Sequence, residues 1–211
     1  DALELAQRLK PDVAIVDGST AYVGKQTQLS VLDVSNPAQP VERAHLDLSA
    51  PASDIFLHDG TAYVATQDGK VHIVDVRTPT TPAVRGVYTS APIMGEAGRS
   101  ANSVYVVGTH AYIAYTIDRS GSYRSQFQIV DVSNPAAPTV RGVAVPGLKA
   151  ARDVFVVNHL AYVAFSSPDA GGIVIYDVSN PAKPVARGTL ATQPPEQVYV
   201  AGNRAYLAVY A

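Results

Sequence analysis

The octapeptide DVSNPAQP at Asp33–Pro40 returns three times, as DVRTPTTP at Asp75–Pro82, DVSNPAAP at Asp131–Pro138 and DVSNPAKP at Asp177–Pro184. A catalytic motif appears once per site, whereas a motif that appears four times is architecture. The residue chemistry fits that reading. Asp and Ser side chains bond nearby backbone amides, and Pro fixes φ and stops a strand ladder. Each copy therefore predicts a stiff corner between two strands, with its paired prolines discouraging edge pairing there.

A second marker sets the period. The dipeptide Ala-Tyr begins at Ala21, Ala62, Ala111, Ala161 and Ala205, in AYVG, AYVA, AYIA, AYVA and AYLA. Units of this length match one four-stranded blade. Each full unit holds four short segments rich in Val, Ile, Tyr and Phe: a DVAIV-type opening, the Ala-Tyr segment, a third segment of the IVDV type and a fourth reading PVERAHL, AVRGVY, TVRGVA or VARGTL. Gly and Asn between the first two tolerate the positive φ of tight hairpins. No segment leaves room for a helix of ordinary length. The fold class expected is all-β: a β-propeller of about five blades of four antiparallel strands, the last incomplete, or part of a larger propeller.

These elements, in this order, resemble the LVIVD-repeat family. The third-strand signature reads SVLDVSNP, HIVDVRTP, QIVDVSNP and VIYDVSNP, flanked by the DV-x-V opening, the AYVA strand and the trailing VRG. The second unit departs from it, with Arg77-Thr78 in place of Ser-Asn. The resemblance spans essentially the whole chain. It implies a propeller, commonly in exported or cell-surface proteins, and no defined catalytic activity.

The chain reads as a single domain, 1–211, with blades near 11–50, 51–99, 100–148, 149–193 and a partial one at 194–211. Residues 1–10, with LELAQRL, are expected to form an outer closing strand. One third strand with its corner is still missing. A fragment of a longer propeller is favoured over a defective five-bladed ring, with strand donation by a partner chain as a third option. Asp1 is not Met, which leaves a removed leader or a trimmed start open.

Composition removes several classes of function. Hydrophobic residues make up 47% and charged residues 16%, at a net charge of −2, so a core is affordable and no basic stripe invites nucleic acid. No apolar run is long enough for a membrane helix, so direct membrane insertion is not expected. With no cysteine, disulfides and thiolate chemistry are excluded. No H-E-x-x-H, G-x-S-x-G, P-loop or G-x-G-x-x-G spacing is present. No cofactor, metal or catalytic residue is assigned. Protein partners or self-assembly are expected, calcium and carbohydrate stay open as ligands, and the compartment implied by the resemblance is extracellular, cell-surface or periplasmic.

Binding candidates come from two places. Strand order puts the variable loops on one face, at 88–102, 115–126 and 166–172. Insertions on one face of a repeat fold often mark its binding side. These supply Glu96, Arg99, Asp118, Arg119, Tyr123 and Arg124, with Met94 beside them. The starts of the innermost strands open on the same face and supply Asp12, Asp54, Arg152 and Asp153. Carboxylates around a channel suit a hard cation or, as a weaker alternative, acid–base hydrolysis. Against both stands the repetition of Asp12, Asp54 and Asp153, because an active site should break the symmetry of the repeat.

Overall fold

The structure, a computed structural model, describes residues 12–92, 94–147, 150–167 and 170–209. Among them are strands and no helix. The segment 1–10, expected as a closing strand, lies outside the described residues.

The first sheet contains β1 (Val13–Asp17), β2 (Thr20–Lys25), β3 (Gln28–Asp33) and β4 (Val41–Asp47). The second contains β5 (Ala52–His58), β6 (Thr61–Thr66), β7 (Lys70–Asp75) and β8 (Ala83–Thr89). The third is built of β9 (Gly98–Val107), β10 (His110–Arg119), β11 (Ser122–Asp131) and β12 (Thr139–Gly147). The fourth is built of β13 (Ala150–Val157), β14 (Leu160–Ser167), β15 (Ala170–Asp177) and β16 (Val185–Thr192). A final pair, β17 (Pro195–Ala201) and β18 (Arg204–Val209), forms a two-stranded sheet. Every pairing is antiparallel between sequence neighbours. The innermost strands β1, β5, β9, β13 and β17 lie side by side in chain order. This is a β-propeller.

The hairpins follow from local chemistry. Asp59-Gly60 and Asn158-His159 close the first hairpins of blades two and four with both residues at positive φ. That is the turn whose twist matches the flanking strands, and Asn and Gly tolerate it. His159 is thus a turn residue.

The corners behave as the sequence suggests, with an added ion pair. Asp131 accepts the N–H of Ser133 at 2.9 Å and its hydroxyl at 2.6 Å, while Arg141 of β12 donates to the other carboxylate oxygen at 2.7 Å. The same pairing joins Arg43 to Asp33, Arg85 to Asp75 and Arg187 to Asp177. The arginine of the fourth strand therefore locks the crossover that precedes it in every full blade.

Packing lies between blades. Tyr22, Leu29 and Val31 of blade one meet Ile55, Val64 and Val74 of blade two. Tyr63 and Ile73 meet Val104, Ile113 and Tyr115 of blade three. Phe127 and Ile129 meet Val154, Val163 and Tyr176 of blade four. Burying each such side chain stabilises the ring by about 1.5–3 kcal/mol. Along the inside of the ring, Phe56, Tyr105, Phe155 and Tyr199 stack blade to blade, with centroids 4.5, 5.0 and 5.2 Å apart. The equivalent residue of blade one is Ala14.

All three stretches expected as loops are partly or wholly strands instead. The 115–126 stretch continues β10 and β11, and its register runs from Tyr115↔Gln126 to Arg119↔Ser122 around a Ser120-Gly121 turn. Both turn residues take positive φ, so a two-residue hairpin suffices. Similarly, 98–102 belongs to β9, and Ser167 pairs with Ala170. Blade three thus projects beyond its neighbours as a longer sheet.

Candidate functional site

The innermost strands carry a shared irregularity. In β5, β9, β13 and β17 the register with the second strand slips by one residue, leaving Ser53, Asn102, Arg152 and Glu196 without a ladder partner. These are β-bulges, which re-aim a side chain and bend the strand. The residue after each bulge is Asp54, Ser103, Asp153 or Gln197. The position that repeats is therefore next to one that differs in every blade.

The repeated position is a clamp. Asp54 Oδ1 accepts the amide of Ile55 at 2.8 Å and Oδ2 accepts the amide of Val104, in the next blade, at 2.9 Å. Asp153 accepts Val154 N–H at 2.9 Å and, from blade five, Val198 N–H at 2.8 Å. Ser103 takes the same part in blade three. Its hydroxyl donates to Asp153 at 2.7 Å and faces the amide of Val154 at 3.3 Å. Burial pushes the Asp54 carboxyl up to about 6, opposed by the Val104 amide and aided by the charge of Asp153. Asp12 accepts the amide of Gln26 at 2.8 Å, within its own blade. These carboxylates are thus occupied by backbone donors. Among the described residues, no three His, Cys, Asp or Glu side chains come together as a metal site.

The variable position opens on two adjoining cavities. One, of about 520 Å³, is the channel mouth, lined by Asp12, Ser53, Asp54, Asp153 and Gln197 among others. The second, of about 750 Å³, lies over blades three and four and includes Ser100, Thr116, Tyr123, Ser166 and Pro194. Asn102, Arg152 and Glu196 line both. Arg152 donates to Ser166 Oγ at 2.7 Å and lies 3.5 Å from a Glu196 oxygen. Asn102 donates to Thr116 Oγ1 at 2.6 Å and to the carbonyl of Ala151. The bulges of three blades therefore form one polar wall, with the exposed ring of Tyr123 across the second cavity.

The sequence candidates divide accordingly. Arg152, Asp12, Asp54 and Asp153 line the channel mouth, and Tyr123 the second cavity. Glu96 and Arg99 require a correction of place, because their side chains are only 8% and 6% exposed. Arg99 donates through two nitrogens to Glu96 and through a third to Ser90, and it stacks over Tyr115 at 5.6 Å. Ser90 in turn accepts from Gln128, which accepts the Tyr88 hydroxyl at 2.7 Å. This polar cluster stitches blade two to blade three and is not a free rim. Asp118 accepts the amide of Gly121 at 3.0 Å, and Arg119 donates to the carbonyl of Met94 at 2.8 Å, so both brace the projecting hairpin. Arg124 is half-buried on β11, opposite Ile117. Sequence reasoning missed Ser53, Asn102 and Glu196. The signal available was their place, one residue before the repeated clamp.

The model of the LVIVD repeat matches residues 11–47, 49–90, 98–144 and 149–192. The chain belongs to the LVIVD-repeat family. No functionally curated protein matches this LVIVD-repeat chain. Among solved structures it is similar to a candidate 6-phosphogluconolactonase of Bacteroides fragilis, with a TM-score of 0.66 at 10% identity over 93% of this chain and 62% of that one. A functionally unknown protein of Desulfotomaculum acetoxidans gives 0.64 at 14% identity over 93% and 62%. The Nup133 β-propeller domain of Vanderwaltozyma polyspora gives 0.66 at 7% over 92% and 67%. At these identities the likeness is one of fold. The LVIVD-repeat chain spans 62% of the length of the first two proteins.

Proposed function

We propose that this β-propeller is a non-enzymatic structural and protein-interaction module, working outside the cytoplasm or at the cell surface, that binds a partner in the cleft walled by Asn102, Arg152 and Glu196. The propeller fold supports the module reading, and the compartment rests on the family resemblance. The observation that carries the binding face is the bulge. It presents unlike polar side chains, side by side, from blades whose other positions repeat. Function asks for asymmetry, and this is where the ring is asymmetric. A non-enzymatic role is supported by the clamps, because Asp54 and Asp153 spend their oxygens on backbone amides rather than on a substrate.

Tyr123 favours a second reading. An exposed aromatic ring beside Asn, Arg, Ser and Glu side chains is the composition that stacks and hydrogen-bonds a sugar. One pair of proteins separates the readings: the native chain and a Tyr123→Ala, Arg152→Ala variant matched in thermal stability. Each is used to select from a displayed peptide library and is also applied to a glycan array. Peptides that hold the native chain and lose at least ten-fold on the variant support the protein partner. Signals confined to glycans and lost on the variant support the sugar. Ligands that ignore both substitutions rule out this cleft.

A further inference from the structure

One position in the third strand is filled differently in every full blade. The register places Ser30, His72, Gln128 and Val174 opposite His45, Val87, Val143 and Thr189 of the fourth strands. In blade three this position ties neighbouring blades together, with Gln128 donating to Ser90 Oγ at 2.7 Å. Blade two makes the same kind of contact with different chemistry. Ser49, in the turn between β4 and β5, has its hydroxyl 3.0 Å from His72 Nε2 of β7. Ser90 is buried, whereas Ser49 is exposed. An amide against a buried hydroxyl is a brace. An imidazole against an exposed hydroxyl is a base beside a nucleophile.

The Ser49 turn is pinned on both sides of the hydroxyl. Leu48 N–H donates to the Thr27 carbonyl at 2.8 Å, and the Pro51 carbonyl accepts Gln67 N–H at 3.0 Å. Leu48 and Ala52 are themselves buried. His72 is 6% exposed, and burial holds its imidazole below the usual range, so the ring is neutral at pH 7. Asp68 and Lys70 are the charged groups that act on it, with opposite signs. They bond each other at 2.6 Å, and Asp68 also accepts the Thr66 hydroxyl at 2.6 Å. The charges beside His72 are thus paired. A hydroxyl on a fixed turn, open to solvent and within hydrogen-bond reach of a neutral imidazole, is the arrangement that base-assisted acyl transfer uses.

We propose that Ser49 is a nucleophile activated by His72, and that it takes an acyl group from an ester. In the tautomer protonated at Nδ1, His72 Nε2 accepts the hydroxyl proton as Ser49 Oγ bonds the carbonyl carbon. The adduct collapses by breaking the ester C–O bond, and the departing alcohol leaves with the proton that His72 held. The products are acyl-Ser49 and the free alcohol, and no further reactant is needed. What is modified is the chain itself, so this property stands beside the module reading. The Asn102–Arg152–Glu196 cleft contains none of these residues, and the two readings fail separately.

The test treats the whole chain with p-nitrophenyl acetate as acyl donor and with a fluorescent fluorophosphonate as a trap. Nitrophenolate release is expected, together with a phosphonyl group that peptide mass places on Ser49. Ser49→Ala should lose both. His72→Gln keeps the polar contact that Gln128 makes in blade three, so it should hold its thermal midpoint yet react about 100-fold more slowly. In the native chain the rate should rise with pH through one step below about pH 6.5 and then level off, and His72→Gln should lose that step. Labelling that survives Ser49→Ala, or a His72→Gln rate equal to the native one, overturns the proposal. So does the absence of reaction with both reagents. Phosphonylation of Ser49 without nitrophenolate release that depends on Ser49 overturns acyl transfer equally.

Discussion

Asp54 and Val104 stand 50 residues apart in sequence and are joined across a blade boundary, the Val104 N–H donating to Asp54 Oδ2 at 2.9 Å. The bond holds two innermost strands at fixed spacing, and its carboxylate is largely withdrawn from water. Burial raises its pKa from 3.8 to about 6. Over that interval the native state keeps a proton that the unfolded chain has lost. The contribution of Asp54 to stability is therefore complete below about pH 4 and lost as pH rises through 6. Denaturant unfolding of the native chain and of Asp54→Asn at pH 4, 5, 6 and 7 checks this. The stability gap between them should change by roughly 1–3 kcal/mol in favour of the variant on going from pH 4 to 7. A constant gap would count against a buried, proton-holding Asp54.

The corner carboxylates have the opposite sign. The hydroxyl of Ser133 and the guanidinium of Arg141 hold Asp131 well below the usual carboxylate range. What this pair adds is present above about pH 4 and is lost as the carboxyl protonates in stronger acid. In an Arg141→Gln variant, the Asp131 carboxyl followed by carbon-13 NMR should titrate closer to its ordinary value. The stability difference from the native chain should shrink as pH falls from 5 to 2. An unmoved titration would mean the serine alone sets that pKa.

The three glycines that follow the fourth-strand arginine, Gly86, Gly142 and Gly188, form a graded set within one chain. Gly86→Ala and Gly142→Ala each push a methyl into a proline carbonyl of the next blade. Overpacking of this kind should cost about 1–3 kcal/mol or more, because backbone cannot give way as a side-chain tip does. Gly188→Ala, with nothing among the described residues within 4 Å of the added methyl, should stay within about 0.5 kcal/mol of the native chain. Thermal midpoints of the three variants, measured side by side, decide it. Equal losses at all three would refute a clash with the proline carbonyls as the cause.

Arg99 and Glu96 are a buried ion pair, and such pairs respond asymmetrically to substitution. Arg99→Ala removes the guanidinium that neutralises Glu96 and should cost about 3–5 kcal/mol. Replacing both, as Arg99→Met with Glu96→Leu, should recover most of that loss, because neither charge is then left in a dry place. Chemical denaturation of the single and double variants gives both values. A double variant no better than Arg99→Ala would show that the Ser90 bond, not charge neutralisation, is the main contribution of Arg99.

Repetition made the fold legible. The Asp-Val-x-x-Pro corners, the Ala-Tyr strands and the arginine-bearing fourth strands recur because each performs the same task in every full blade, and a task repeated four times can be read without an alignment. The site was less legible for the same reason. Ser53, Asn102, Arg152 and Glu196 differ from one another, so no pattern marks them. The bulge that displays them is a one-residue slip that leaves strand alternation nearly intact on either side. Arg99 and Glu96 misled in another way. Charged residues in a Gly- and Pro-containing stretch read as solvated loop, and only packing against Gly69 and Tyr115 shows the guanidinium stem enclosed. The 115–126 stretch misled because its polar residues conceal an alternation that the Ser120-Gly121 turn closes in two residues.

The one-residue slip has a consequence for how such a surface changes over generations. The clamp at Asp54, Ser103 and Asp153 is held from one side of the slip, and the side chain offered to the channel mouth stands on the other. A substitution at Ser53 or Arg152 alters what the mouth presents without touching the Asp54, Ser103 and Asp153 bonds between blades, whereas Asn102 also donates to the Ala151 carbonyl of the next blade. Blade spacing and the chemistry shown to the mouth are carried on adjacent residues, and at Asn102 one side chain serves both. The mouth of such a ring can therefore change its chemistry one blade at a time while the clamps beside it keep the blades at their spacing.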